Sequence, residues 1–187
     1  MRTFIAVDLP AEIKTRISAF IQKLKSVAPR GIGWANLGDL HVTMKFLGEI
    51  EESRLSVIGE AVRAVAAETP VFPLTVAGTG TFPPLSRHPR VLWIGLEDSP
   101  ALLDLQGRLE NALEALGFPR ELRPFHPHLT AARIKSAEVP RTLLDRFGKD
   151  DGALFGDMEV REIVVYQSIL RPGGAEHRPM LSGALRS

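Results

Sequence analysis

The sequence contains one short pattern twice: a histidine, an aliphatic residue and a threonine. The first copy is His41-Val42-Thr43 in DLHVTMKFLGEI, and the second is His128-Leu129-Thr130 in HPHLTAARIK. On a β-strand, residues i and i+2 share a face, so each copy would present an imidazole beside a hydroxyl. With five histidines and nine threonines in the chain, two copies arise by chance with a probability of roughly 2%. The repeat therefore predicts two related half-domains that face each other.

Two facing imidazoles can carry out in-line displacement at phosphorus. A neutral histidine takes a proton from the attacking oxygen, and a protonated histidine gives one to the leaving oxygen. Histidine can do both because its ordinary pKa lies near neutral pH. The hydroxyls of Thr43 and Thr130 can donate hydrogen bonds to the non-bridging phosphoryl oxygens. The pattern thus predicts His41 and His128 as the catalytic pair, two phosphate-binding threonines, and no metal or other cofactor.

The residues around the motifs must supply the elements that position them. Hydrophobic periodicity predicts strands interleaved with helices, which indicates an α+β fold of two similar lobes in a single domain over 1–187. The predicted strands are 3–9, 31–34 (a turn or short strand), 39–50, 71–78, 90–96, 126–135, 159–170 and 174–182. The predicted helices run from Pro10 to before Pro29, over 52–67, from the cap Ser99 to Gly117, and over 139–147. The segment 79–90, rich in glycine and proline, is predicted to be a loop.

Composition excludes several classes of function. The net charge is +1, so the chain is not expected to coat nucleic acid electrostatically. It has no cysteine, which excludes disulfides and thiolate chemistry and fits a cytoplasmic location. No apolar run is long enough to span a bilayer, and the first residues lack a secretory signal, so no membrane association is expected.

Two charged residues near the motifs have more than one interpretation. Alternation places Lys45 on the face of His41, where it could bind phosphate, but exposure at the strand end is favoured. Arg133 suits phosphate binding. It lies five positions after His128, however, so strict alternation puts it on the opposite face. It can reach the site only if the strand ends or bulges first.

Other side chains near the motifs are weaker candidates. Phe46 could stack on a nucleobase, although a core position is favoured, and Phe82 in the predicted loop is the better stacking candidate. His126 and His128 form His-Pro-His, but no cysteine or carboxylate follows at ligand spacing. A zinc site is therefore not expected, and His126 is predicted to support the loop.

Taken together, these segments resemble the two-histidine phosphoesterases, and among them the bacterial and archaeal RNA 2′,3′-cyclic phosphodiesterases, also called 2′-5′ RNA ligases. The resemblance covers nearly the whole chain: RTFIAVDLP, LHVTMKFLGEI, HPHLTAARIK with Arg133, and SILRPGGAEH. It implies two lobes, each an antiparallel sheet with flanking helices, related by a pseudo-two-fold around a central cleft. One departure is His177, where the family often has tyrosine, and this change could alter how the pocket edge holds a nucleoside.

The resemblance also implies an activity. A terminal 2′,3′-cyclic phosphate would be opened to a 2′-phosphate, with His41 as the acid toward O3′ and His128 as the base toward water. Two alternatives stay open: 2′-5′ ligation by the reverse reaction, and an RNA-end-binding module without turnover. The expected partners are RNA ends or small cyclic nucleotides. No obligatory protein partner is expected, and the chain is predicted to be a monomer.

Overall fold

The computed structural model describes residues 1–28, 30–84, 86, 88–135, 138–148, 152–171 and 174–187. Strands and α-helices alternate along the chain. The strands are β1 (Arg2–Asp8), β2 (Ile32–Trp34), β3 (His41–Glu49), β4 (Phe72–Phe82), β5 (Val91–Leu96), β6 (Leu129–Ile134), β7 (Leu154–Val160), β8 (Glu162–Arg171) and β9 (Gly174–Ala184). The helices are α1 (Ala11–Lys25), α2 (Leu55–Glu68), α3 (Pro100–Glu114) and α4 (Arg141–Gly148), and short 3₁₀ turns span Leu37–Asp39 and Glu52–Arg54.

The strands form two antiparallel sheets. The first sheet has the order β3-β1-β8-β9, and the second has the order β2-β6-β5-β4-β7. The two sheets approach each other where β3 contacts β6. The structure therefore confirms the α+β class with an antiparallel sheet in each lobe.

The helices do not stay with the strands that precede them. Helix α1 follows β1 of the first sheet but contacts β7 of the second, whereas α3 follows β5 of the second sheet and contacts β3 of the first. Helix α2 lies against β8 and β9, and α4 lies against β4. Each sheet thus depends on segments from both halves of the chain. Within the described residues, no helix is long and apolar enough to cross a membrane.

Most predicted elements are present, with three differences. Strand β7 was not predicted, because Gly156 and Asp157 interrupt its apolar pattern. Strand β4 continues through Phe82, into the segment predicted to be a loop. Gly80 lies in this extension, and the indole of Trp93 lies across it. A Cβ at this position would stand 2.0 Å from a ring carbon, so the strand needs glycine here. Strand β6 begins at Leu129, so the second motif only partly lies in a strand.

The predicted start of α3 is confirmed in detail. The Ser99 hydroxyl accepts a hydrogen bond from the backbone N–H of Leu102 at 3.2 Å, and Pro100 occupies the first turn. The chain leaves this helix through Gly117, whose φ of 85° favours glycine. Pro29, residues 85 and 87 of the predicted loop, and the Pro-Gly of the closing segment lie outside the described residues.

Candidate active site

The fold brings the two His-x-Thr motifs to neighbouring strands. His41 is the first residue of β3, and His128 immediately precedes β6, the strand that β3 contacts. Thr43 and Thr130 are both partly exposed, as a residue must be to bind a ligand. In the register, Thr43 lies opposite Ala6 of β1. The two motifs therefore lie at the meeting point of the two sheets.

Aromatic rings surround the His41 imidazole. It stacks on Phe4 at 4.7 Å between ring centroids, and Tyr166 lies 6.2 Å away in a similar orientation. His177 stands perpendicular to it at 5.2 Å. Asp8 is the cross-strand partner of His41. These rings hold the His41 imidazole in a fixed orientation and remove most of it from water.

This environment keeps the His41 imidazole neutral. The pKa of His41 is lowered from 6.5 to about 4, mainly by burial and then by a positive charge on His177, with a smaller contribution from Lys14. The carboxylates of Asp8 and Asp39 raise this pKa but do not outweigh burial. In the free protein at pH 7, His41 is therefore uncharged.

A backbone carbonyl fixes the protonation pattern of His128. Its Nδ1 lies 2.7 Å from the carbonyl oxygen of His126. A carbonyl oxygen can only accept a hydrogen bond, so Nδ1 carries the proton and the lone pair of the neutral ring lies on Nε2. His126 thus contacts His128 through its backbone carbonyl. The arrangement presents His128 Nε2 as a proton acceptor.

His128 is also neutral at pH 7. Burial lowers its pKa below 6.5, the hydrogen bond to the His126 carbonyl raises it, and the nearby charge of Arg133 lowers it again. Phe82 contacts the imidazole edge-on at 5.0 Å between centroids and also lies 5.6 Å from the Trp93 ring. Phe82 ends β4 instead of lying in a loop, and in this position it lines the His128 side of the site.

A β-bulge interrupts each motif strand at the same point. In β3, Thr43 pairs with Ala6 and Lys45 pairs with Ile5, so Met44 is the extra residue. In β6, Thr130 and Ala132 pair with consecutive residues of β5, so Ala131 is extra. Each bulge directly follows the threonine and reverses the alternation beyond it. The two copies therefore share a register shift directly after the threonine.

The first bulge makes two sequence-based interpretations wrong. Lys45 was predicted to share the face of His41 and to be exposed, but it is only 6% exposed, and its Nζ contacts Glu110 Oε2 at 2.6 Å. Phe46 was favoured as a core residue, but it is 64% exposed and lies opposite Phe4, which stacks on His41. The single extra residue turns Lys45 into the core and Phe46 onto the His41 face.

The second bulge supplies the condition under which Arg133 can reach the site. Arg133 is exposed, whereas Ala131 and Ala132 before it are both buried. It lies opposite Val91, and its charge is close enough to lower the pKa of His128. Phe46 and Arg133 thus occupy the same place in the two copies, five residues after each histidine.

Sequence reasoning missed several residues around His41. Phe4 and Asp8 lie on β1, Asp39 lies in the 3₁₀ turn and Tyr166 lies on β8, and no short motif joins them. Partial burial, followed by the negative charge of Asp8 and the hydrogen bond that the Tyr166 hydroxyl donates to its carboxylate, raises the pKa of Tyr166 to about 12. Cross-strand pairing of β1 with β3 and β8 is the signal that unites them, and it requires the register.

No metal site was predicted from the sequence. In the portion of the chain that the structure describes, no group of three or more His, Cys, Asp or Glu side chains is arranged to hold a metal ion. The side chains that the sequence analysis predicted to act at this site are the two imidazoles, the two hydroxyls and Arg133.

Comparison with known proteins gives consistent results. The family model of the 2′-5′ RNA ligase superfamily matches residues 13–169. The RNA 2′,3′-cyclic phosphodiesterase of Methanocaldococcus jannaschii is 35% identical over 174 residues, which cover 93% of this chain and 95% of that protein. The Escherichia coli protein of the same name is 32% identical over 142 residues, 74% of each chain.

Solved structures agree with the sequence comparison. TT0787 of Thermus thermophilus superposes with a TM-score of 0.82 at 28% identity, covering 100% of this chain and 98% of that one. E. coli LigT complexed with 3′-AMP gives a TM-score of 0.78 at 27% identity with the same coverage.

Proposed function

Because this chain belongs to the 2′-5′ RNA ligase superfamily, we propose that it is a hydrolase that opens 2′,3′-cyclic phosphate at RNA ends. The observation that carries the proposal is the pair of His-x-Thr motifs on contacting strands, with equivalent bulges after each threonine. Relatives named RNA 2′,3′-cyclic phosphodiesterase support this substrate class.

The reaction is a single in-line displacement. His128 Nε2 takes a proton from water as the water oxygen forms a bond to phosphorus. The bond between phosphorus and O3′ breaks, and His41 gives its proton to O3′. The products are a 2′-phosphate and a 3′-hydroxyl, and no step requires a metal. The tautomer of His128 set by the His126 carbonyl supports its assignment as the base.

The remaining residues bind the phosphate. Thr43 and Thr130 donate hydrogen bonds to the non-bridging oxygens, and Arg133 stabilises the negative charge that develops there. The anionic phosphate also acts on His41, because a negative charge beside an imidazole raises its pKa. Substrate binding therefore protonates the acid that burial keeps neutral in the free protein.

Ligation, in which a 5′-hydroxyl takes the place of the attacking water, is a second candidate, and the family description favours including it. The same two imidazoles would join a cyclic phosphate end to a 5′-hydroxyl, with the roles of acid and base unchanged. Water is present at far higher concentration than a 5′-hydroxyl end, so hydrolysis dominates under ordinary conditions.

The test is incubation with an oligoribonucleotide that ends in 2′,3′-cyclic phosphate, followed by determination of the product's phosphate position. We expect a 2′-phosphate. His41→Gln and His128→Gln should each lower kcat by about 100-fold or more with an unchanged circular dichroism spectrum. His88→Gln is the matched control, because His88 is an exposed histidine of a loop and should leave kcat unchanged.

Other outcomes of these experiments show which part of the proposed mechanism is wrong. A 3′-phosphate product would show that O2′, and not O3′, is the leaving oxygen. Binding without product would indicate an RNA-end-binding module. Near-normal turnover by either glutamine variant would exclude the acid–base pair. Activity should also persist in excess chelator, and its loss with recovery on adding a divalent cation would exclude the metal-independent mechanism.

A modified substrate separates the roles of the two histidines. When sulfur replaces the bridging O3′, the leaving thiolate needs no proton donor, because thiols are far more acidic than alcohols. His41→Gln should then recover most of its lost rate, whereas His128→Gln should not. Recovery by His128→Gln instead would exchange the assignments of acid and base.

A further inference from the structure

His177 lies against the acid of the proposed reaction without a role in it. It lies on β9, opposite Ser168 of β8. Its ring is perpendicular to that of His41 at 5.2 Å and to that of Phe4 at 5.0 Å between centroids. The two imidazoles thus touch within one aromatic cluster, although 136 positions separate them in the sequence.

Asp39 holds the other side of the His177 ring. The Nε2 atom of His177 lies 3.6 Å from Asp39 Oδ1. The second oxygen of this carboxylate accepts hydrogen bonds from the backbone N–H and the side-chain amide of Asn36, each at 3.1 Å. Asp39 is therefore fixed in the 3₁₀ turn that ends two residues before His41, and it orients His177 toward the start of β3.

The unpartnered nitrogen of His177 favours the neutral ring. Its Nδ1 is buried and has no hydrogen-bond partner among the described residues. Charging the ring would place an N–H there with no acceptor, which costs more than an unpaired lone pair. In agreement with this, burial lowers the pKa of His177, Asp39 raises it, and Arg2 lowers it.

The groups around His41 come from five elements. Asp8 on β1 and Asp39 in the 3₁₀ turn carry negative charge, and Lys14 on α1 carries positive charge and contacts Asp8 Oδ1 at 2.6 Å. Tyr166 on β8 is neutral below pH 10, since burial raises its pKa to about 12. The remaining neighbour is His177 on β9, and among these groups it is the other histidine.

We propose that His177 is a positioning residue that, held by Asp39, sets the pH range in which His41 carries the proton for the leaving oxygen. The role of His41 as the acid rests on the proposed function. The effect of His177 on proton binding by His41 rests only on the contact between the two rings. Two imidazoles 5.2 Å apart repel when both are charged, so each lowers the tendency of the other to bind a proton.

The substitution His177→Phe tests the coupling directly. Phenylalanine keeps a ring against His41 and Phe4 but cannot become charged. The His41 titration, followed by NMR of its imidazole, should move up by about 0.5 to 1 pH unit. The acidic part of the kcat/KM profile, where a charged His177 opposes protonation of His41, should be higher in His177→Phe than in the unsubstituted protein, whereas at pH 7 and above, where His177 is neutral, the two profiles should coincide. His88→Gln is the control and should move neither.

The two readouts distinguish the two proposals. An unchanged His41 titration in His177→Phe would overturn the coupling. A moved titration with no difference between the two kcat/KM profiles below pH 6 would keep the coupling but show that His41 is not the acid. A measurement on the unsubstituted protein is independent of whether the variant folds: the His41 titration curve should contain a second inflection where His177 titrates, and a single-step curve would overturn the inference.

Discussion

Burial gives His41 a different acidity from that of a surface histidine. The pKa of His41 falls to about 4 and that of His128 falls below 6.5, in both cases mainly through burial. Both imidazoles are therefore neutral in the free protein at pH 7. The productive form needs a proton on His41 and none on His128, so this form is a minority species whose population depends steeply on pH.

The pH profile of kcat/KM follows from these shifts. Activity should fall at high pH because His41 loses its proton, and at low pH because His128 gains one. Since both pKa values lie below 6.5, the bell-shaped profile should have its maximum below pH 6.5. The measurement is kcat/KM for a 2′,3′-cyclic mononucleotide from pH 4 to pH 9. A maximum at or above pH 7, or a flat profile, would contradict this assignment.

Phe46 offers a separate test at the scale of a single side chain. It is 64% exposed on the face of His41, where it can stack on a base of the bound RNA. Phe46→Ala should raise KM for an oligoribonucleotide by about 5- to 100-fold, since stacking contributes about 1–3 kcal/mol per base. The kcat should change little, and Phe46→Tyr should retain the ring and the affinity.

The stability of Phe46→Ala shows whether Phe46 lies on the surface or in the core. An exposed side chain can be removed with a change in the free energy of unfolding of about 0.5 kcal/mol or less. A core phenylalanine would cost about 3–5 kcal/mol instead. Denaturant unfolding of Phe46→Ala therefore checks whether the bulge in β3 exists in solution.

At the scale of elements, the bulge in β3 connects this strand to α3. Lys45 Nζ contacts Glu110 Oε2 at 2.6 Å and donates to the carbonyl oxygen of Pro119 at 2.9 Å. Glu110 also accepts hydrogen bonds from the Gln106 amide and the Glu121 N–H. The ion pair is thus buried with hydrogen-bonding partners on both sides, and it fixes β3 against the helix that covers it.

Removal of one partner should destabilise the protein strongly. Lys45→Met leaves the Glu110 carboxylate buried without its counter-charge, and we expect a loss of about 3–5 kcal/mol in the free energy of unfolding at pH 7. Lys45→Met combined with Glu110→Gln should recover part of this loss, because no buried charge then stays unpaired. Urea unfolding measures both. A loss of less than about 0.5 kcal/mol would indicate a solvated lysine.

At the scale of the whole molecule, the two halves of the chain are interleaved. The first half supplies β1 and β3 of the first sheet, but β8 and β9 come from the second half. The helix α3 that contacts β3 also follows the midpoint of the chain. Neither half therefore contains a complete sheet with its covering helices.

This interleaving predicts that the halves cannot fold separately. A fragment of residues 1–98 would expose the edge of β1 that pairs with β8 and the part of β3 that α3 contacts in the intact chain. We expect fragments 1–98 and 99–187 to lack cooperative unfolding transitions alone and to regain one when mixed. A cooperative transition in either isolated fragment would contradict the single domain over 1–187.

The local sequence was enough to predict most element types and to single out the two histidines of the proposed site. Apolar periodicity identified the helices α1 to α4, and the repeated His-x-Thr identified His41 and His128, because both signals depend only on neighbours in the chain. Leu40, Val42 and Met44, which alternate with His41 and Thr43 along the first motif, are buried, as that alternation implies.

Only the tertiary structure decided which residues share a face beyond each threonine. One extra residue in a strand reverses the alternation, and its position depends on the register with another strand. This is why Lys45 is buried while Phe46 and Arg133 are exposed. The neighbours of His41, above all Asp39 and His177, come from distant parts of the chain, and packing alone brings them together.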